Sequence, residues 1–398
     1  MKEDIPLLSI VIPTRNRFQY VIYAIKNILS IQDKDFELLI HDSSDTKELE
    51  SYILKNIFDS RLHYYYSDPP LTFSETFNKS VLLSSGEYVC IIGDDDGVNP
   101  EIIQATRWAK EQNIDALTPI LSAFYGWPDF QLRYYKNSEA GRLKIKGFSG
   151  RIYYPDVEAE MLKSARNAFQ DFGGLPKIYY GIIKMSCLEE VYSFTGAFFF
   201  GSSPDISGAV AVSNYVKRLC IIDYPLFVPG SSSNSGSGRS AMKKHVGKLE
   251  DETQTKPYSK TWPNLVPKFY SVQTVWAQAG LAALSATKRQ DLIEVYNVPL
   301  LHAMCIVYNP TFYKIILSNL FRSINSKPYD LLKGILLFIV FALFAVSKRI
   351  KSHLLRFARL HNVEYDHDVC GINNIEEAVL ELSKHLVSSG KSFRNTVS

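Results

Sequence analysis

Cysteine is scarce in this chain of 398 residues: five are scattered at Cys90, Cys187, Cys220, Cys305 and Cys370. Their number is odd and no CxxC pair occurs, so neither a disulfide framework nor a structural zinc site is supported. No GxGxxG follows a strand-like run, which removes a dinucleotide oxidoreductase. No block of like charge dominates either, with 44 Lys and Arg against 41 Asp and Glu and a net charge of +3. A dedicated nucleic-acid binder concentrates basic charge on one face, so no nucleic-acid partner is expected. No signal peptide is read in MKEDIPLLSIVIP, where acidic residues come early, and a reducing cytosol is the expected compartment. Apolar residues are plentiful. At 46% hydrophobic and 13% aromatic the chain can fill a core, which excludes wholesale disorder. The length suits one large domain with an elaboration, or two domains.

Residues 7 to 120 read as strands alternating with helices. LLSIVIP has the short, β-branched, apolar character of a buried parallel strand. Tyr20, Ile22, Tyr23, Ile25, Ile28 and Leu29 then recur at helical spacing. FELLIH (36–41), LHYYY (62–66) and EYVCIIG (87–93) predict further strands, with helices marked by Leu49, Ile53 and Ile57 and by the run 73–85. Pro100 sits where a following helix begins. Repeated βα units predict an α/β fold, a mostly parallel sheet flanked by helices, with ligands at the carboxyl ends of the strands. Residues 121–228 are less regular but read as part of the same domain, 1–228. The segment 229–260 is rich in Ser and Gly and then charged, a composition that reads as a flexible connector or as a lid.

Residues 261–398 are helical in pattern. The run GILLFIVFALFAV (334–346) is uncharged but shorter than the roughly 20 residues a spanning helix needs. Lys348, Arg349, Lys351, Arg356 and Arg359 follow it. A buried hairpin helix and a true span remain open. The favoured expectation is that 331–359 associates with an anionic membrane surface through its basic flank, making the protein peripheral at the inner face of the plasma membrane.

Acids stand at the strand ends. Asp42 follows FELLIH within HDSSD, and Asp94, Asp95 and Asp96 follow EYVCIIG. Three consecutive carboxylates repel one another in a cleft unless a divalent cation or backbone donors neutralise them. Carboxylate oxygens are hard ligands suited to magnesium or manganese, which in turn bind diphosphates. The same triplet also reads as an ordinary Asp-rich turn capping the next helix.

The runs SIVIPTRNR (9–17), FELLIHDSSD (36–45), SSGEYVCIIGDDDGVNP (84–100) and PDISGAV (204–210), in that order, resemble the family 2 glycosyltransferases over roughly residues 7–215. The resemblance implies a GT-A fold (a Rossmann-like nucleotide-sugar fold), a nucleotide-sugar donor, a glycan or lipid-linked acceptor in bacterial surface-polysaccharide synthesis, and a divalent metal, manganese or magnesium. It places donor binding on Pro13, Thr14, Arg15, Arg17, Asp42 and Asp94. It places metal binding on Asp95, with Asp96 as a second ligand or a helix cap. Counted back from Pro100, the usual first acid of the Asp-x-Asp pattern falls on Gly93, and the second on Asp95. His41 and Arg15 also depart from the family pattern, leaving the nucleotide open.

In the family, an acceptor hydroxyl displaces the nucleoside diphosphate with inversion. The resemblance assigns the base to Asp205, an acid favoured at a first helical turn by the helix dipole; Asp129 and Asp171 are alternatives. A late loop often closes over the diphosphate in related enzymes, which makes His245 a candidate metal ligand and Arg239, Lys243 and Lys244 candidate phosphate contacts; a merely solvated loop histidine is the plainer reading. A nucleotidyltransferase normally has a glycine-rich basic loop after the first strand, and PTRNR has no glycine. A non-catalytic binding protein is the other alternative, opposed by the retention of Asp42, Asp95 and Asp205.

Overall fold

Seven residues from Leu8 to Thr14, mostly apolar with β-branched Ile10, Val11 and Ile12 at the centre, form the central strand β1, buried on both sides as a strand covered by helices must be. The computed structural model describes every residue except 1–4, 69–70, 134–135, 243, 325–327, 363–364 and 398, and leaves undescribed the side chains of 328–329, 352–353 and 355–362. After β1 come α1 (Phe18–Leu29), β2 (Phe36–Asp42), α2 (Glu48–Asn56), β3 (Leu62–Tyr66), α3 (Phe73–Leu82), β4 (Tyr88–Ile91), β5 (Gly97–Val98) and α4 (Ile102–Glu111). The middle of the chain supplies β6 (Ala116–Pro119), β7 (Ala123–Gly126), β8 (Arg142–Ile145), β9 (Ile152–Tyr153), α5 (Val157–Arg166), β10 (Ile182–Lys184), α6 (Met185–Thr195), α7 (Pro204–Val212) and β11 (Leu219–Ile222).

The main sheet runs β3-β2-β1-β4-β10-β6-β11-β9. The pairs β3–β2, β2–β1, β1–β4 and β6–β11 are parallel, and β10 and β9 are antiparallel insertions. Register decides what meets at the carboxyl edge. Thr14 lies opposite Asp42, and Asp42 opposite Tyr66. Val11 pairs with Ile91, so three residues on, Thr14 is level with Asp94.

A two-stranded pair and a separate second sheet close over that edge. Strand β12 (Phe227–Val228) pairs with β5, and β13 (Gly230–Ser231) runs parallel to β7, which pairs with β8. Beyond it lie α8 (Gly236–Ala241) and the small β14 (Val246–Gly247) and β15 (Tyr270–Ser271) pair. The segment 229–260, read from composition as flexible, is thus threaded into the sheet at its start. Polar partners hold its start, to which composition is blind, and Leu249 is buried in the core further along.

The last third divides. Helices α9 (Val272–Ala286), α10 (Gln290–Glu294), α11 (Val298–Tyr308) and α12 (Tyr313–Ile324) continue the hydrophobic core that lies beneath α5–α7. Helix α13 (Pro328–Asn362) packs on α11. Then β16 (His367–Cys370) joins β8, and α14 (Ile375–Ser388) and α15 (Phe393–Val397) return to the core of the N-terminal sheet. The stretch 261–398 is therefore mainly helical, interrupted by the short strands β15 and β16. A Cβ on Gly97 would lie 2.5 Å from the Val379 side chain, so α14 backs the acid turn directly.

Helix α13 is much longer than its uncharged run. Within it Asp330–Lys351 is long and apolar enough to cross a membrane, with only 11% of its apolar window buried. Gly334 abuts Ile324 of α12, Ala345 is buried, and Arg349 donates to the carbonyl of Val307 at the end of α11. Leu332, Leu336, Ile339, Val340, Leu343 and Ile350 face outward. The side chains of Arg356 and Arg359, two of the expected basic flank, lie outside the described residues.

Candidate active site

The loop after β1 turns sharply at Asn16, whose φ of +56° lies in the left-handed region that asparagine tolerates better than most residues. The turn sends its neighbours in opposite directions. Arg15 is exposed and pairs with Asp45, which also accepts from Asn16 Nδ2 at 2.7 Å. Arg17 goes inward. Its Nε donates to Asp94 Oδ1 at 2.6 Å, and its Nη2 lies 2.8 Å from Asp95 Oδ2 and donates to Ser232 Oγ at 2.7 Å. Thr14 donates to the other oxygen of Asp94 at 2.7 Å, as the register requires. Arg17 Nη1 is buried without a partner among the described residues, a cationic N–H with spare capacity for an anion.

The triplet is neutralised by the protein itself. Asp96 accepts from the N–H of Gly93 at 2.6 Å and that of Gly230 at 2.7 Å, and Tyr179 reaches it at 3.3 Å. Ser232 donates to Asp95 Oδ2 at 2.5 Å, and Trp127 Nε1 to the Asp95 carbonyl at 2.9 Å. A Cβ on Gly230 would stand 1.8 Å from the Asp95 carbonyl, so only glycine lets this strap approach. Burial, and then the neighbouring Asp95 charge, push the Asp96 carboxyl up. Burial also pushes Asp94 up, against the pull of Arg17.

These contacts separate the expected metal ligands. Both Asp96 oxygens accept from backbone donors, so Asp96 staples the turn to the strap. Asp95 Oδ1 accepts no hydrogen bond among the described residues. His245 stacks on Tyr270 with ring centroids 4.6 Å apart, and burial and Arg239 hold its pKa below the usual range. Neither of its ring nitrogens finds a partner among the described residues. Among the described residues no group of three or more His, Cys, Asp or Glu is placed to hold a metal ion. Magnesium, however, is usually held by one or two carboxylates together with substrate phosphates, and Asp95 fits that sparser arrangement. Of the loop cations, Arg239 is engaged by Glu252 and Lys243 lies outside the described residues.

Asp42 is fully buried. It accepts from Tyr64 at 2.9 Å and from the Ser44 N–H at 2.8 Å. It supports the loop beneath a cavity of about 180 Å³ lined by Thr14, Asn16, Ser44, Thr46 and Glu48 among others. The residues that face this space are thus the neighbours of Asp42. Pro13, half-buried, only continues β1, opposite His41. His41 is buried and enclosed by Ser67, Thr76 and Ser80.

Asp205 follows Pro204 in the first turn of α7 and accepts from Ser203. Burial raises its pKa, while the Ser203 hydroxyl, backbone N–H groups and Lys177 act to hold it down. Lys177 belongs to the segment whose Tyr179 reaches Asp96, and Tyr179 stacks on Phe77. This segment links the base candidate to the acid turn. Asp171 is exposed and accepts from the Gly173 N–H in a local turn. Asp129 accepts from Tyr20 at 2.5 Å and Ser233 Oγ at 2.6 Å, which makes it an anchor for the strap. Sequence reasoning missed Ser232, the Gly230 N–H, Tyr179 and Lys177. A serine run beside a glycine, opposite a buried acid, is a signal for the first two; the others carry none.

Residues 9–156 match the family model described as glycosyl transferase family 2. A protein of Escherichia coli K12 named as a colanic acid biosynthesis glycosyl transferase is 33% identical over 109 residues, 27% of this chain and 39% of its own length. A GalNAc(5)-diNAcBac-PP-undecaprenol beta-1,3-glucosyltransferase of Campylobacter jejuni is 34% identical over 98 residues, 23% of this chain and 30% of its own. The aligned part thus spans well under half of either relative. The crystal structure of S. aureus TarS 1-349 in complex with UDP-GlcNAc superimposes with a TM-score of 0.52 at 14% identity, covering 87% of this chain and 92% of that one, which speaks to fold. Residues 9–156, which carry the acid-lined sheet edge, thus match glycosyl transferase family 2, and the chain has the GT-A fold.

Proposed function

We propose that the protein transfers a sugar from a nucleotide-sugar donor to a glycan or lipid-linked acceptor in bacterial surface-polysaccharide synthesis. The observation that carries this reading is the single hydrogen-bonded group of Thr14, Arg17, Asp94, Asp95 and Ser232 at the carboxyl edge of the parallel sheet. The space between the β1 and β2 loops takes the nucleoside, with Asp42 and Asp45 fixing its walls. Arg17, which has an unpartnered N–H, meets the diphosphate. Asp95 would hold a manganese or magnesium ion, which when bound supplies positive charge to the leaving diphosphate.

Asp205 is the base. It takes the proton of the acceptor hydroxyl as that oxygen bonds to the anomeric carbon, and the bond from that carbon to the diphosphate oxygen breaks on the opposite face. The products are the inverted glycoside, the nucleoside diphosphate and a protonated Asp205. Its raised pKa suits a group that must accept a proton near neutrality.

The outward apolar face of α13 rests on an anionic bilayer with the helix lying in the surface plane. Its other face is occupied by α11 and α12, so a lone span would strip these contacts. Lys333, Lys348 and Lys351 are exposed near the edge of the apolar face and would reach phosphate headgroups. The test of the enzymatic reading is a panel of nucleotide sugars, assayed for thermal stabilisation with and without manganese and then for sugar release. Stabilisation by one donor that depends on Asp95 is expected; a panel in which no nucleotide sugar binds refutes it.

A further inference from the structure

A cavity of about 560 Å³ lies behind the Asp205 loop, within the range of roughly 300–1,000 Å³ typical of small-molecule sites. We propose that it takes the first prenyl units of a lipid-linked acceptor. This rests on the transferase reading for its purpose but not for its binding chemistry. One wall is Phe199, Phe200 and Gly201, the residues that lead directly into Ser203 and Asp205. The other is Leu281 and Ala282 of α9, with Pro263 and Leu265 opposite. No charged side chain lines it, so it has neither the cations a nucleotide needs nor the carboxylates that commonly hold sugar hydroxyls. A branched hydrocarbon fits its aromatic and aliphatic walls.

Two further features place the cavity on a route from the membrane to the base. Gln278 of α9 accepts from the Ser202 N–H at 2.8 Å and its hydroxyl at 2.7 Å, locking the cavity's α9 wall to the Asp205 loop. On the far side, the carbonyl of Asn264 accepts from Asn319 Nδ2 at 2.9 Å and from Ser323. Both are on α12, which exposes Tyr313, Ile315 and Phe321 and packs beside α13. The segment that carries Pro263 and Leu265 of the cavity wall is thus tied through α12 to the helix whose outward face is assigned to the bilayer. A prenyl chain drawn from that surface into the cavity presents its head group toward Asp205.

The test is photolabelling of the full chain with benzophenone-tagged farnesyl phosphate and peptide mass mapping. Label within 199–201, 258–265 or 278–285, competed by untagged farnesyl phosphate, is expected. Ser285 is exposed at the mouth, so Ser285→Trp narrows entry without altering the core, whereas Ala282→Phe fills the interior. Each is expected to reduce labelling about tenfold, with circular dichroism and melting temperature close to the parent. Label confined to α13, or labelling unchanged in both variants, overturns the proposal. Absence of any donor hydrolysis while the mapped label and both variant effects hold would sink the transferase reading and leave the prenyl site standing.

Discussion

Replacing Arg17 by Met strips a buried positive charge from between Asp94 and Asp95. Arg17 has 16% of its side chain exposed and each aspartate 8%, so solvent replaces little of what is lost. Breaking a buried pair by removing one partner costs about 3–5 kcal/mol. With an unfolding entropy of about 2.1 cal/mol/K per residue, a chain of this length loses about 4–6 °C of melting temperature if it unfolds as one unit. The loss has a sign in pH. Burial raises the Asp94 carboxyl, and Arg17 is what pulls it back, so the variant's Asp94 is raised further. A carboxyl whose folded pKa exceeds its unfolded value favours the fold when protonated, and that advantage is lost as pH rises through the folded pKa. The deficit of the variant therefore grows between about pH 5 and about pH 8. Scanning fluorimetry without divalent ions reads both quantities. A loss below about 1 °C at the higher pH, or the same loss at both, would refute the account of Arg17 as internal counter-charge.

Other substitutions separate the parts of the site. Asp205→Asn should keep donor binding and lose transfer, and in the parent kcat/KM should fall on the acid side with an apparent pKa above the ordinary carboxylate range; steady-state rates against pH decide it. Gly230→Ala drives a methyl into the Asp95 carbonyl and should destabilise by about 1–3 kcal/mol, as overpacking does, with weakened donor affinity; denaturant titration checks the first effect. Asp95→Asn should remove the manganese dependence of donor binding, and retention of that dependence in calorimetry moves the ion elsewhere. Leu336→Glu with Leu343→Glu places two charges on the outward face of α13 and should abolish sedimentation with anionic vesicles while melting is unchanged.

The strand and helix pattern of residues 7–111 was legible because each βα unit carries its own periodicity, and Thr14, Asp42 and Asp94 then follow from register alone. The acid triplet was legible as a cluster whose charge needs neutralising. What neutralises it was not. Arg17 stands 77 residues before Asp94, and Ser232 137 residues after Asp95. No local pattern encodes such pairings, since hydroxyl and guanidinium donors are specified only by where the chain returns.

The sequence by itself determined the α/β layering, the class of the sheet edge and the unusual apolar stretch near residue 340, because burial and periodicity are local properties of the chain. The tertiary structure alone decided that the serine-rich segment is a strap, that Asp96 is bound by backbone donors while Asp95 keeps an open oxygen, and that the final residues from β16 onward support the acid turn. Each of these depends on long-range closure, where a polar group is satisfied by a partner that sequence proximity cannot supply.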